Sequence, residues 1–134
     1  MAEAAVLDAS ALLALLGRES GWEAVAATIP GAFVSAVNLA EVAGKLAEHG
    51  MPEGEVRQVL GGLGLTVVSF SEEAAVAAGL LRPRTRSVGL SLGDRACLAL
   101  AHELKLPAYT TDQAWRELRL GVDVHLVRPG RRHR

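Results

Sequence analysis

Four carboxylates in this chain stand at places where a charge needs a reason. Asp8 interrupts "VLDASALLALL" between an apolar run of strand type and an apolar stretch of helix type, and Asp112 in "TTDQAW" closes a later strand-like run. Glu41 in "NLAEV" and Asp94 in "LSLGDRACLALA" fall in or near the first turns of helical patterns. In open α/β sheets, strand ends and the starts of the following helices meet at one edge, facing the crevice where ligands bind. The placement predicts that the four acids converge there. Two carboxylates about 4 Å apart repel by about 4 kcal/mol at an effective dielectric of about 20, so such a cluster calls for protons or a cation. An all-carboxylate set, supplemented by the hydroxyls of Ser10 and Thr111 and the amide of Asn38, suits the hard ions Mg²⁺ and Mn²⁺. Carboxylate-held Mg²⁺ at such a crevice typically handles phosphate, which makes phosphodiester hydrolysis a reasonable reaction class.

Each position also has a purely local explanation. Ser10 is placed to cap the helix that follows it, Asp94 to complete a capping box with Ser91, and Asp112 to cap a helix starting at Gln113. Glu41 is spaced to pair with Lys45 one turn on. The four histidines, His49, His102, His125 and His133, show no metal-ligand spacing, which speaks against zinc.

The elements that must position these acids alternate from end to end. Strands are predicted over Ala4–Leu7, Ala32–Ser35, "LTVVSF", "PAYTTD" and "VDVHLV". Helices are predicted from about Ser10 to Leu16, from Trp22 to Ile29, after Ser35 with Val37, Leu39, Ala40, Val42, Ala43 and Leu46 in helical rhythm up to Gly50, and from Pro52 in a first turn. Further helices are an Ala-rich one opened by Ser71-Glu72-Glu73, one opened by Ser91 with Leu92, Cys97, Leu98, Ala101 and Leu104 inward, and a short "QAWRELRLG". That order argues a central, mostly parallel sheet covered on both faces.

Composition sets the outer bounds. At 134 residues the chain is most simply one domain, and its 50% hydrophobic but only 4% aromatic residues imply a core of Ala, Leu and Val. A mean hydropathy of +0.25 favours an apolar contact surface and hence a dimer or protein partner. The formal net charge of −1 excludes a globally basic nucleic-acid binder, leaving local basic patches at Arg82, Arg84 and Arg86 and in the tail over 129–134. One cysteine, Cys97, permits no internal disulfide and fits a reducing cytoplasm. No signal peptide or membrane-length apolar run is predicted.

Taken together and in this order, "VLDASALLALL", "NLAEV", "LSLGDRACLALA" and "TTDQAW" resemble the PIN-domain ribonucleases, specifically the VapC-type toxins of prokaryotic toxin–antitoxin pairs. The resemblance runs from the first strand to "VHLV", with "LGDRACLALA" followed by "TTD" its most specific part. It implies a three-layer α/β/α PIN-like nuclease domain over residues 1–128 and a basic tail over 129–134. By that resemblance Asp8, Glu41, Asp94 and Asp112 match the acidic quartet of a Mg²⁺- or Mn²⁺-dependent site, with Asp8 and Asp94 the expected direct ligands and Ser10, Asn38 and Thr111 the polar surround. It further implies cleavage of single-stranded RNA, in tRNA or rRNA, a cognate VapB-type antitoxin and a homodimer. For Arg82, Arg84 and Arg86, two readings stand side by side: a contact with RNA phosphates beside the site, or a solvated loop. Trp22 and Trp115 are expected to pack rather than stack on bases.

Other readings fit less well. A haloacid-dehalogenase-type phosphatase needs a second acid where Ser10 stands, and a receiver domain needs an acid at the end of "LTVVSFS". A PIN-like subunit that binds RNA or antitoxin without cutting remains the alternative.

Overall fold

The computed structural model describes residues 3–128, so the basic tail and His133 lie outside the described residues. Within these residues five short strands form one sheet: β1 (Val6–Leu7), β2 (Phe33–Ser35), β3 (Thr66–Val68), β4 (Ala108–Thr110) and β5 (Val124–Leu126). Their order is β3-β2-β1-β4-β5, and every neighbouring pair is parallel. The expected mostly parallel sheet is thus parallel throughout among the described residues.

Among the described residues six α-helices connect the strands: α1 (Ala9–Leu16), α2 (Trp22–Ala26), α3 (Ala36–Glu48), α4 (Glu53–Gly61), α5 (Glu72–Leu80) and α6 (Leu92–Leu104). The alternation of side chains along each strand splits the core in two. Leu7, Val34 and Tyr109 pack on one face with Leu12, Val25 and Val42 of α1, α2 and α3. Val6, Phe33 and Ala108 turn to the other face, against Cys97, Leu98 and Trp115. This is a three-layer α/β/α domain.

Several boundaries differ from expectation for identifiable reasons. Helix α2 stops at Ala26 rather than Ile29, short of the Pro30-Gly31 break, and Pro52 stands at the N-cap of α4 rather than inside it. The segment "QAWRELRLG" makes only a 3-10 turn, Gln113–Glu117, which seats the fully buried Trp115. Leu92, expected inward, is 49% exposed because it opens the first turn of α6 before that helix reaches the sheet. Leu98, Cys97 and Ala101 do face inward.

The topology decides where a site can form. The chain lays β1, β2 and β3 in one direction, then crosses back to place β4 and β5 on the other side of β1. The switch point therefore falls between β1 and β4, whose carboxyl ends open a crevice.

Candidate active site

Asp8 closes β1 at this crevice and is also the N-cap of α1, the role expected of Ser10. Its Oδ1 accepts from the Ala11 amide at 2.8 Å and from the Ser10 hydroxyl at 2.7 Å. Its Oδ2 accepts from the Thr110 hydroxyl at 2.5 Å. These bonds favour the charged form, yet the side chain is only 3% exposed. Burial wins, and with a smaller push from the charge of Asp94 it raises the Asp8 pKa to about 6.

The hydroxyl expected to help at Thr111 is supplied by Thr110. Thr110 is wholly buried, donates to Asp8 and accepts from the Asp112 amide at 3.1 Å, which ties the ends of β1 and β4 together. Thr111 takes part only through its backbone N–H, which donates to the Ser10 Oγ at 2.9 Å. The cue in the sequence was strand parity: a one-residue step reverses the face, so only one threonine of the pair can meet Asp8. Replacing Thr110 by the isosteric Val removes a hydrogen bond to a charged group. Thr110→Val is expected to cost about 2 kcal/mol in urea denaturation at pH 8 and less at pH 5, where Asp8 is protonated.

The remaining acids come from three elements. Asp94 sits in a complete capping box: its Oδ2 accepts from the Ser91 amide at 3.0 Å, and the Ser91 Oγ accepts from the Asp94 amide at 3.1 Å. Asp112 accepts from the Ala114 amide at 3.0 Å and caps the 3-10 turn. Glu41 does not pair with Lys45, which instead reaches Glu48 at 3.9 Å. Glu41 Oε1 accepts from the buried Asn38 amide at 3.0 Å, and the same nitrogen donates to the Gly93 carbonyl at 3.1 Å.

These parts line a single open cleft of about 540 Å³, whose wall includes Asp8, Ser10, Asn38, Glu41, Asp94 and Asp112. Lys45 and Glu48 extend it along α3. Beneath it lies Cys97, fully buried, its thiol pushed up by burial first and then by the charges of Asp8, Asp94 and Glu41. That thiol is an inert packing group.

The arginine loop is elsewhere. Arg82, Arg84 and Arg86 are exposed, none lines the acid cleft, and Arg84 donates to the Arg119 carbonyl at 3.2 Å. Arg84 borders a separate, largely apolar cleft of about 530 Å³ between α5 and α6 that holds none of the four acids. Trp115 is core, and Trp22 is half-buried with the Arg18 guanidinium 4.9 Å above its ring.

The chemistry of the donor set decides which cation suits this cleft. Among the described residues no three Asp, Glu, His or Cys side chains gather closely enough to form a ready cage. Mg²⁺ does not need one, since it commonly binds through one or two carboxylates and keeps several waters. The cleft offers the carboxylates of Asp8, Glu41, Asp94 and Asp112, with Lys45 farther along its wall, a buried carboxylate that a cation would relieve, and a buried Asn38 Oδ1 without a partner. These residues fit a hard, hydrated divalent ion.

An acid-lined cleft at the switch point of a parallel α/β/α sheet defines the class of domain. The match to known proteins makes it specific: the model of the PIN domain family matches residues 5–120, and the chain belongs to that family. No curated protein sequence matches the chain. Among solved structures, a toxin–antitoxin complex from Klebsiella pneumoniae is 20% identical with a TM-score of 0.70, over 89% of this chain and 98% of that one. DNA-bound VapBC from Salmonella typhimurium is 17% identical with a TM-score of 0.71, over 95% and 99%. A sarcin–ricin-loop-cleaving VapC toxin from Mycobacterium tuberculosis is 17% identical with a TM-score of 0.69, over 89% and 98%. At these identities the likeness is one of fold.

Proposed function

We propose that the chain is a Mg²⁺- or Mn²⁺-dependent endoribonuclease, the toxin of a type II toxin–antitoxin pair, hydrolysing single-stranded regions of tRNA or rRNA. The observation that carries this reading is the convergence of Asp8, Glu41, Asp94 and Asp112 on one cleft of a PIN domain. Toxin–antitoxin complexes and an RNA-cleaving toxin among the structures of like fold support it.

Asp8 and Asp94 would hold the cation directly, with Glu41 and Asp112 beside them on the same cleft wall. A bound divalent ion supplies Lewis acidity toward a phosphodiester and lowers the pKa of water. Around it the chain's own groups do the positioning. Thr110 and Ser10 fix the rotamer of Asp8, the capping box fixes Asp94, and the Asn38 amide holds Glu41, while Asp112 lies exposed on the same cleft wall. Cytoplasmic action, a VapB-type antitoxin and a homodimer complete the proposal. Val76 and Leu80, one turn apart on α5 and 56% and 69% exposed, offer an apolar face of the kind such contacts bury. Among the described residues no helix is long and apolar enough to cross a membrane.

A second reading has its own observation: Asp8, Asp94 and Asp112 each perform a capping role that needs no catalysis. It makes the domain a binding subunit for RNA or antitoxin. Incubating the purified chain with total RNA in Mn²⁺, in Mg²⁺ and in EDTA separates the two. Discrete fragments that appear only with the metal are expected; intact RNA in every lane, with RNA still bound, transfers the function to binding.

A further inference from the structure

We infer that Gly93 is a positioning residue for Glu41: its missing side chain makes the space in which the Glu41 carboxylate lies against the first turn of α6. The inference deepens the nuclease reading and rests on it. A glutamate on an exposed helix face samples many rotamers, so a catalytic arrangement that uses it must restrain it. Here the restraint comes from two elements. The Asn38 amide, 1% exposed, bridges Glu41 Oε1 on α3 and the Gly93 carbonyl on α6. The orientation of that amide is forced, because turning it over would set its oxygen against two acceptors.

Gly93 completes the seat. A Cβ added there would stand 2.5 Å from both Glu41 carboxylate oxygens and 2.7 Å from Cδ. The backbone does not call for glycine: among the described residues the glycines in the left-handed region are Gly21, Gly31, Gly50, Gly64, Gly89 and Gly121, not Gly93. Glycine inside a helix otherwise weakens it. The conflict with a Cβ would involve the far end of a flexible side chain, so the carboxylate would swing out while the helix stayed in place. The result is a carboxylate of α3 held one residue from Asp94, against a helix N-terminus that favours negative charge.

Gly93→Ala therefore separates position from stability. The variant is expected to melt at the parental temperature or a few degrees above it, because Ala is the better helix former. It should cleave RNA about 100-fold more slowly, the scale of a misplaced catalytic group, and show a smaller Mn²⁺-induced rise in Tm. The same substitution made in a Glu41→Ala chain meets no carboxylate. There it should raise the metal-free Tm by more than in the parent background and slow cleavage no further. Cleavage by Gly93→Ala at the parental rate, or equal Tm changes in both backgrounds, overturns the inference. If the Tm difference between backgrounds holds while the parent cuts no RNA, the nuclease reading fails and the seat for Glu41 stands.

Discussion

Asp94→Asn is expected to lower metal-dependent RNA cleavage by about 1,000-fold while the metal-free protein keeps its stability to within about 1 kcal/mol. The two effects separate because Asp94 does two jobs with different atoms. As a cap it needs only an acceptor: the Ser91 amide donates to Oδ2 at 3.0 Å, and an asparagine carbonyl can take its place. The reciprocal bond, from the Asp94 backbone to Ser91 Oγ, does not involve the side chain at all. As a ligand it needs its charge, which asparagine lacks. Removing that charge loses a favourable interaction with the α6 N-terminus of about 0.3–1 kcal/mol and relieves the push on Asp8, so the terms oppose each other. Asp94→Ala provides the contrast, since it should lose cleavage equally and about 1 kcal/mol of stability with the cap. Cleavage assays beside thermal melts of both variants decide the matter. An asparagine variant that cuts like the parent would leave Asp94 as a cap and nothing more.

The legible part of the site was the part written in junctions. Asp8, Asp94 and Asp112 announce themselves because a helix start recruits an acid to its free N–H groups, and in this topology those starts surround the crevice. The same coincidence hid which function each acid serves, since a cap and a ligand look alike in sequence. Errors followed where one residue changes a face. Ser10 and Asp8 both suit a cap, and chain direction after β1 chose Asp8, leaving Ser10 to donate to it. Thr110 rather than Thr111 meets Asp8 for the same geometric reason. Glu41 takes Asn38, three residues back on its own helix, rather than Lys45, and the contact that was out of reach is the one between distant segments, from Asn38 to the Gly93 carbonyl across 55 positions. The arginine loop showed that proximity in sequence to α6 does not carry a side chain to the cleft at its N-terminus.

Asp8 should make the metal-free protein less stable as the pH rises, the reverse of an ordinary salt-bridged carboxylate. Its pKa is about 6 in the folded chain against 3.8 as a free side chain, because burial outweighs three hydrogen bonds. The folded state therefore holds a proton between pH 4 and 6 that the unfolded chain has released, and unfolding free energy falls with pH across that window. The stability present below pH 4 is lost as pH passes 6, by about 3 kcal/mol for a shift of this size. Asp8→Asn keeps an acceptor for the Ala11 amide but cannot ionise, so this component should vanish. In urea titrations from pH 4 to 8 without metal, the variant should gain on the parent by about that amount, most of it by pH 7. A divalent ion reverses the order, since it stabilises the carboxylate form that burial disfavours and competes with the proton for it. Added Mn²⁺ should then raise the parent's stability more at pH 8 than at pH 5, and the variant's far less at either. Parallel parent and variant curves would mean that Asp8 carries no buried charge, and with that the physical case for a cation at this cleft would go.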